Sequence, residues 1–286
     1  MTRRILFCAL LMAMSCFGVS GQQSSATAQQ PLTFWYEYHV NPGKEAEFLS
    51  LVKAIGEPAT QKLMADGTML AWGVQTPVIR VPENPTHVIW YTVADYAGVE
   101  KVEAAIGDRI AKMAEESGKG SATKKGTGEG GPMARIAQIT DFAKTHDYLT
   151  RDIEFRAVPK NVTAGTLPIS SYVFVKVRPG KDAEYIHIWE KSYKAVFDTL
   201  VTDGVVLAYG LTVEEIRTDG DFTHYTWFAV KDLASLDKVR AAFANGRTSA
   251  TDVEVITKQQ FGELVDTDAV RGQLNRSLIF HLAGQK

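Results

Sequence analysis

Cysteine is nearly absent from this chain. Its two cysteines, Cys8 and Cys16, both fall near the start of the 286 residues. The remainder can form no disulfide and offers no thiol nucleophile. An excess of one charge is also missing: 31 Lys and Arg stand against 33 Asp and Glu, a formal net charge of −2. Nucleic acid as the main partner would need a clear cationic surplus, so that class is set aside. No apolar run beyond Val19 is long enough to cross a bilayer as a helix. His-x-His, His-x-x-x-His, G-x-S-x-G and G-x-x-x-x-G-K-[ST] do not occur. Spacing therefore points to no metal site, no nucleophile elbow and no P-loop. What is present, 45% hydrophobic and 22% charged residues, is the composition of a globular protein with room for two modest cores.

The N-terminus has the form of an export signal. Arg3-Arg4 make a basic start, Ile5 to Val19 an apolar stretch, and Ala26-Thr27-Ala28 an A-x-A cleavage pattern, with Val19-Ser20-Gly21 as a second option. The expected signal spans 1–28, and the expected destination is secreted or periplasmic. Cys16 is the alternative, a lipid-anchor site, although Ala13 stands where that pattern prefers Leu.

The strongest feature is a repeat. Val40-Asn-Pro-Gly-Lys-Glu-Ala-Glu-Phe48 recurs as Val177-Arg-Pro-Gly-Lys-Asp-Ala-Glu-Tyr185, displaced by 180 − 43 = 137 residues. Sliding 33–111 onto 170–248 without a gap gives identity at 24 of 79 positions, where ordinary residue frequencies give roughly 4–5. Asp66-Gly67 meets Asp203-Gly204, Thr86-His87 meets Thr223-His224, and Trp90 meets Trp227. Units of this length suit two similar domains better than solenoid repeats. The boundaries expected are 32–158 and 169–286, joined by a link over 159–168, with a flexible Gly-rich loop at 117–132 in the first.

Within the first half, β-formers at 33–40, 69–75, 87–93 and 150–157 predict strands. Phe48, Leu51, Val52, Ile55, Ala59 and Leu63 predict a helix ending at about Ala65. Asp95 is placed to cap a second helix, and a helical piece is expected near 134–146. The second half predicts strands at 170–177, 206–212, 224–230 and 275–282, and helices at 181–202, 233–245 and 258–271. Each half is thus βαββαβ, a ferredoxin-like unit with one sheet face left uncovered by its helices. The expected fold class is α+β: two such repeats packed sheet to sheet as a pseudo-dimeric α/β barrel.

The V-x-P-G-K-x-x-E-F opening resembles the dimeric α/β-barrel superfamily, here in a fused tandem form. The resemblance covers nearly all of the chain after the signal. It implies the barrel fold, and it spans cofactor-free monooxygenases, haem enzymes, lactone isomerases and proteins of other roles, so it does not choose an activity. Haem-degrading members carry an Asn on the first strand, a Trp ending the third and a His on the second helix. Here those places hold Glu37 or its neighbours, Val93, and no His in 96–115 or 233–245. That departure speaks against haem, and no cofactor is expected.

Strand alternation then sorts the side chains. Thr33, Trp35, Glu37 and His39 are expected to face the barrel interior, with Ser170, Tyr172, Phe174 and Lys176 opposite them. Val88, Trp90, Thr92, Tyr225, Trp227 and Ala229 join from the third strands. Asp152, Glu154, Arg156, Ser277, Ile279 and His281 join from the fourth. Trp35, Trp90, Tyr172, Phe174, Tyr225 and Trp227 would suit a flat or apolar ligand, and Glu154, Lys176 and His281 would add polar groups. His39 and Glu37, two residues apart on one strand face, are the candidate general base and its partner; a solvated strand-end histidine is the plainer alternative. A two-His, one-carboxylate metal set from His39, His281 and Glu37 or Glu154 would need spatial convergence. Three functions follow: an exported binding protein for a small aromatic or apolar molecule, a cofactor-independent monooxygenase or isomerase, or a non-catalytic structural protein whose barrel is merely filled. With the partner sheet supplied in the same chain, either a pseudo-symmetric monomer or a homodimer fits.

Overall fold

The computed structural model describes residues 30–119, 131–158, 162–163, 165–216, 222–249 and 258–284. The expected signal, most of the Gly-rich stretch and part of the link lie outside the described residues.

The first half runs β1 (Leu32–Tyr38), α1 (Glu45–Ala65), β2 (Met69–Pro77), β3 (His87–Val93), α2 (Tyr96–Lys119), α3 (Pro132–Ile139) and β4 (His146–Ala157). The second runs β5 (Ile169–Val177), α4 (Asp182–Trp189), α5 (Ala195–Thr202), β6 (Val206–Glu214), β7 (His224–Val230), α6 (Ala234–Ser249), α7 (Lys258–Leu264) and β8 (Val265–Leu282). The repeated Pro-Gly-Lys corner has a backbone reason. Gly43 and Gly180 both sit at φ +79°, a left-handed conformation that glycine adopts without strain. The chain then turns into a helix that begins with Glu45 and Glu47, or Asp182 and Glu184, at its positive end. α1 buries Phe48, Val52, Ile55, Ala59 and Leu63, the expected stripe. Asp95 accepts from the Gly98 amide at 2.8 Å and caps α2 as expected.

All eight strands close into one antiparallel barrel in the order β1-β3-β2-β8-β5-β7-β6-β4. Each half contributes four consecutive strands to that ring. Two seams join the halves, β2 with β8 and β4 with β6. The sheets are therefore linked edge to edge as well as facing each other, and no edge of the described strands is left open. Helices wrap the outside over two cores, one around Phe48, Trp72 and Val102 and one around Trp189, Phe197 and Tyr209. A third core, Trp35, Val88, Tyr172, Phe174, Phe222 and Tyr225, lies inside the barrel. Among the described residues, no helix is long and apolar enough to cross a membrane.

Three expectations need correction. The helix foreseen over 258–271 stops at Leu264, and β8 takes over for 18 residues. Its polar first part pairs with β5, Val265 opposite Val177 and Asp266 opposite Lys176, so tertiary pairing overrides local propensity. The helix foreseen over 181–202 contains a π-helical turn, Glu190–Lys194, between α4 and α5.

Third, the fourth strands point their later residues the other way from expectation. β4 slips register between Asp152 and Glu154, and β8 slips opposite Val74 and Gln75, between Ser277 and Ile279. Each slip is a β-bulge that inserts one residue, Ile153 or Leu278, and inverts the alternation beyond it. Asp152 is buried on the inside, as expected. Beyond the bulge, Glu154 and Arg156 turn outward to Lys194 and Asp198. Ile279 enters the outer core, and His281 stacks on Trp72 with ring centroids 5.2 Å apart. Phe155 and Phe280 take the inward places.

Candidate functional site

The barrel interior is filled at one end and hollow at the other. At the filled end Phe174 packs between Phe222 (5.1 Å) and Tyr225 (5.3 Å), with the Arg271 guanidinium 4.6 Å from its ring centre. At the other end lies a cavity of about 310 Å³, within the size range of small-molecule sites. Its walls come from the starts of β1, β2, β5 and β6 and the ends of β3, β4, β7 and β8. Val162 and Pro168, from the link between the halves, border it as well.

Aromatic rings make most of the wall. Trp35 meets Tyr172 edge-on at 5.2 Å and Tyr225 at 5.9 Å, geometry that ring quadrupoles favour. Trp90 lies beside Phe280 (6.0 Å) and Trp227 beside Phe155 (6.0 Å). Each tryptophan has room because its neighbour on the adjoining strand is glycine. A Cβ on Gly73 would come within 3.0 Å of Trp90, and one on Gly210 within 2.6 Å of Trp227.

Two polar side chains, on β4 and β2, stand out in this surface. The first is Asp152 on β4, 4% exposed. Thr212 Oγ1 donates to its Oδ1 at 2.6 Å, and Trp227 donates to Thr212 at 3.2 Å. Among the described residues, no cationic side chain borders the cavity. Burial pushes the carboxyl up to about 6, against the downward pull of hydrogen bonds from Thr212 and Trp227. Beside it, the Tyr225 hydroxyl accepts from Trp35 Nε1 and bonds Thr150, both at 3.1 Å. Burial first, and the Asp152 charge second, hold that phenol protonated far above its ordinary value. The second polar group is Gln75 on β2, tied to Ser170, Tyr172 and Asn275. Nearer the mouth, Thr33 and Thr92 share a hydrogen bond of 2.9 Å.

The sequence-derived candidates divide accordingly. Trp35, Trp90, Tyr172, Tyr225 and Trp227 border the cavity together. Phe174 belongs to the filled end. Glu37 is buried on β1 opposite Val88 and His146, away from the cavity lining. His39 lies just past β1, half-exposed, where burial, with Lys144 adding to it, lowers its pKa. It does not border the cavity either. Lys176 is exposed near the end of β5, opposite Asp266. Glu154 and His281 are outside the barrel for the reason given above. The two-His metal set therefore does not converge, and no group of three or more His, Cys, Asp or Glu among the described residues is placed to hold a metal. Asp152 stood among the inward-facing residues, but only its burial in an apolar wall sets it apart. Gln75 carried no signal at all, because its strand has few polar neighbours by which to judge a face.

Two solved structures share this architecture. A candidate monooxygenase from Fusobacterium nucleatum subsp. nucleatum superposes with a TM-score of 0.60 at 15% identity, covering 90% of this chain and 96% of that one. A candidate monooxygenase from Lactobacillus acidophilus gives 0.57 at 8% identity, covering 89% of this chain and 97% of its own. The fold is the dimeric α+β barrel. No protein-family model matches the chain, and no curated protein does. Likeness at these identities speaks for fold and leaves the chemistry to the site.

Proposed function

We propose that this protein binds a small, flat, apolar molecule in the barrel cavity and that Asp152 removes a proton from it. The observation that carries the reading is one carboxyl, pushed up to about 6 by burial, in the wall of an otherwise aromatic cavity of about 310 Å³. A general base works best when its pKa lies near the working pH. At neutral pH Asp152 is ionised, poorly solvated and without a cation among the described residues of the cavity wall, so taking a proton relieves the cost of its burial. Loss of a proton from an activated C–H or O–H leaves a resonance-stabilised carbanion or phenolate. Reprotonation at another carbon is isomerisation, and reaction with dioxygen is cofactor-independent monooxygenation. The second outcome agrees with the naming of the two structural neighbours as candidate monooxygenases.

We read the chain's halves as copies of one ferredoxin-like unit fused in tandem, supported by the 137-residue repeat and by the matching strand orders β4-β1-β3-β2 and β8-β5-β7-β6. Residues 1–28, as an export signal, would place the mature protein in the periplasm or outside the cell.

The test is Asp152→Asn. Turnover of an enolisable aromatic ketone such as anthrone should fall by roughly 10²–10⁴-fold while binding persists. A binding-only protein is the second reading, favoured by the distance of His39 and Glu37 from the cavity. It would show ligand retention and no Asp152-dependent turnover.

A further inference from the structure

The wall facing Asp152 contains a polar group for which proton removal alone has no use. Gln75 is 1% exposed, yet it borders the cavity. In the closed strand order β2-β3-β1-β4 it lies three strands from Asp152, so the two groups address the cavity from widely separated walls. Its Oε1 accepts from the Tyr172 hydroxyl at 3.0 Å and from Asn275 Nδ2 at 3.2 Å. Its Nε2 donates to Ser170 Oγ at 3.2 Å. The two accepted bonds hold the amide oxygen in the wall. An amide nitrogen carries two hydrogens, and only one is engaged, by Ser170.

The repeat relates this corner to the Asp152 corner. Gln75 and Thr212 match, 212 − 75 = 137, and Asp152 matches Ser277, 277 − 152 = 125. Thr212 donates to Asp152 and completes an acceptor site. Gln75 instead presents an uncommitted donor, and the place of the acid is taken by a neutral serine. One wall accepts a proton and the other offers one, so a ligand has a single productive orientation.

We infer that Gln75 is a second anchor, donating its amide N–H to a ligand oxygen conjugated with the position that Asp152 deprotonates. This rests on the proton-abstraction reading and names its substrate class: a neutral bicyclic or tricyclic ketone or phenol with no charged substituent. In the step, the ligand C–H or O–H bond breaks and its proton joins the Asp152 carboxylate. The electron pair left behind spreads onto the ligand oxygen, where the Gln75 N–H donates to the developing oxyanion. Buried donors aimed at developing charge stabilise it far more than water does.

Equilibrium dialysis with 9-fluorenone and fluorene tests the anchor. The two are flat tricycles of closely similar outline, and only fluorenone carries a carbonyl; it has no proton for Asp152 to take. The wild-type protein should bind fluorenone about tenfold more tightly than fluorene, the effect of one hydrogen bond to an otherwise unpaired buried donor. Gln75→Leu and the more conservative Gln75→Met should abolish that preference, read as the ratio of the two affinities, while both variants still bind fluorene. Asp152→Asn should retain it. Equal affinities in the wild type, no fluorenone binding, or a preference that survives both Gln75 variants would each overturn the anchor. None of these results bears on deprotonation by Asp152, which is read from turnover of an acidic substrate.

Discussion

Asp152 shows how much one buried carboxyl alters the behaviour of a fold. The unfolded chain releases this proton near the ordinary value of 3.8, and the folded chain near 6. Between those values the folded state holds the extra proton, so stability falls as pH rises through the window. The loss is complete above about 6 and amounts to on the order of 3 kcal/mol. Asp152→Asn cannot titrate there. Its amide oxygen can still accept from Thr212, so the variant should be more stable than wild type at neutral pH and about equal near pH 4. Urea denaturation of both proteins across that range checks the sign. Parallel stability curves would mean that the carboxyl is not desolvated as its 4% exposure implies.

Among the elements, the fourth strands separate what alternation can deliver from what it cannot. Trp35, Trp90, Tyr172, Tyr225 and Trp227 were placed from the sequence because their strands are regular, and a period of two carried across them. The same rule failed beyond Ile153 and Leu278, since a bulge adds one residue without a distinctive sequence sign. The repeat preserved the failure: both bulges lie at the offset of 125, so comparing the halves could not expose it. β8 was foreshortened for a related reason. Its polar first part is a strand only because β5 lies beside it. The β4 bulge is also held from outside. Glu154 meets Lys194 at 2.7 Å, and that lysine, in the π-helical turn before α5, reaches Asp198 at 3.2 Å. These side chains are 25–34% exposed, so the network is partly screened by solvent. Lys194→Met should cost about 1 kcal/mol, and the deficit should shrink in high salt. Denaturant titrations of both proteins at low and high ionic strength measure this, and a salt-independent deficit would indicate lost packing of the lysine stem.

At the scale of the molecule, the two seams are what joins the halves of the chain. Either half alone would be a four-stranded sheet with two open edges and an inner face of unpaired aromatic residues, a combination that associates or aggregates. Joining β2 to β8 and β4 to β6 removes every edge and buries Trp35 against Tyr172 and Tyr225 of the other half. Arg151 strengthens one seam by gripping Glu215 through two hydrogen bonds, of 2.6 and 2.8 Å. Since the cavity draws its walls from both halves, ligand binding should stabilise the whole barrel, and unfolding should be a single transition. Residues 32–158 expressed alone would lack both seams. That fragment should be a dimer or larger assembly, because a second copy is the nearest substitute for the missing sheet. Sedimentation equilibrium gives its mass, and a stable monomer would show that the seams and the shared aromatic interior are not what holds the halves together. A dimer of this fragment would retain Asp152 in both copies but lose its Thr212 partner, since residue 212 belongs to the missing half. Its carboxyls should therefore titrate differently from the one in the full chain, which NMR of the Asp152 side chain would detect.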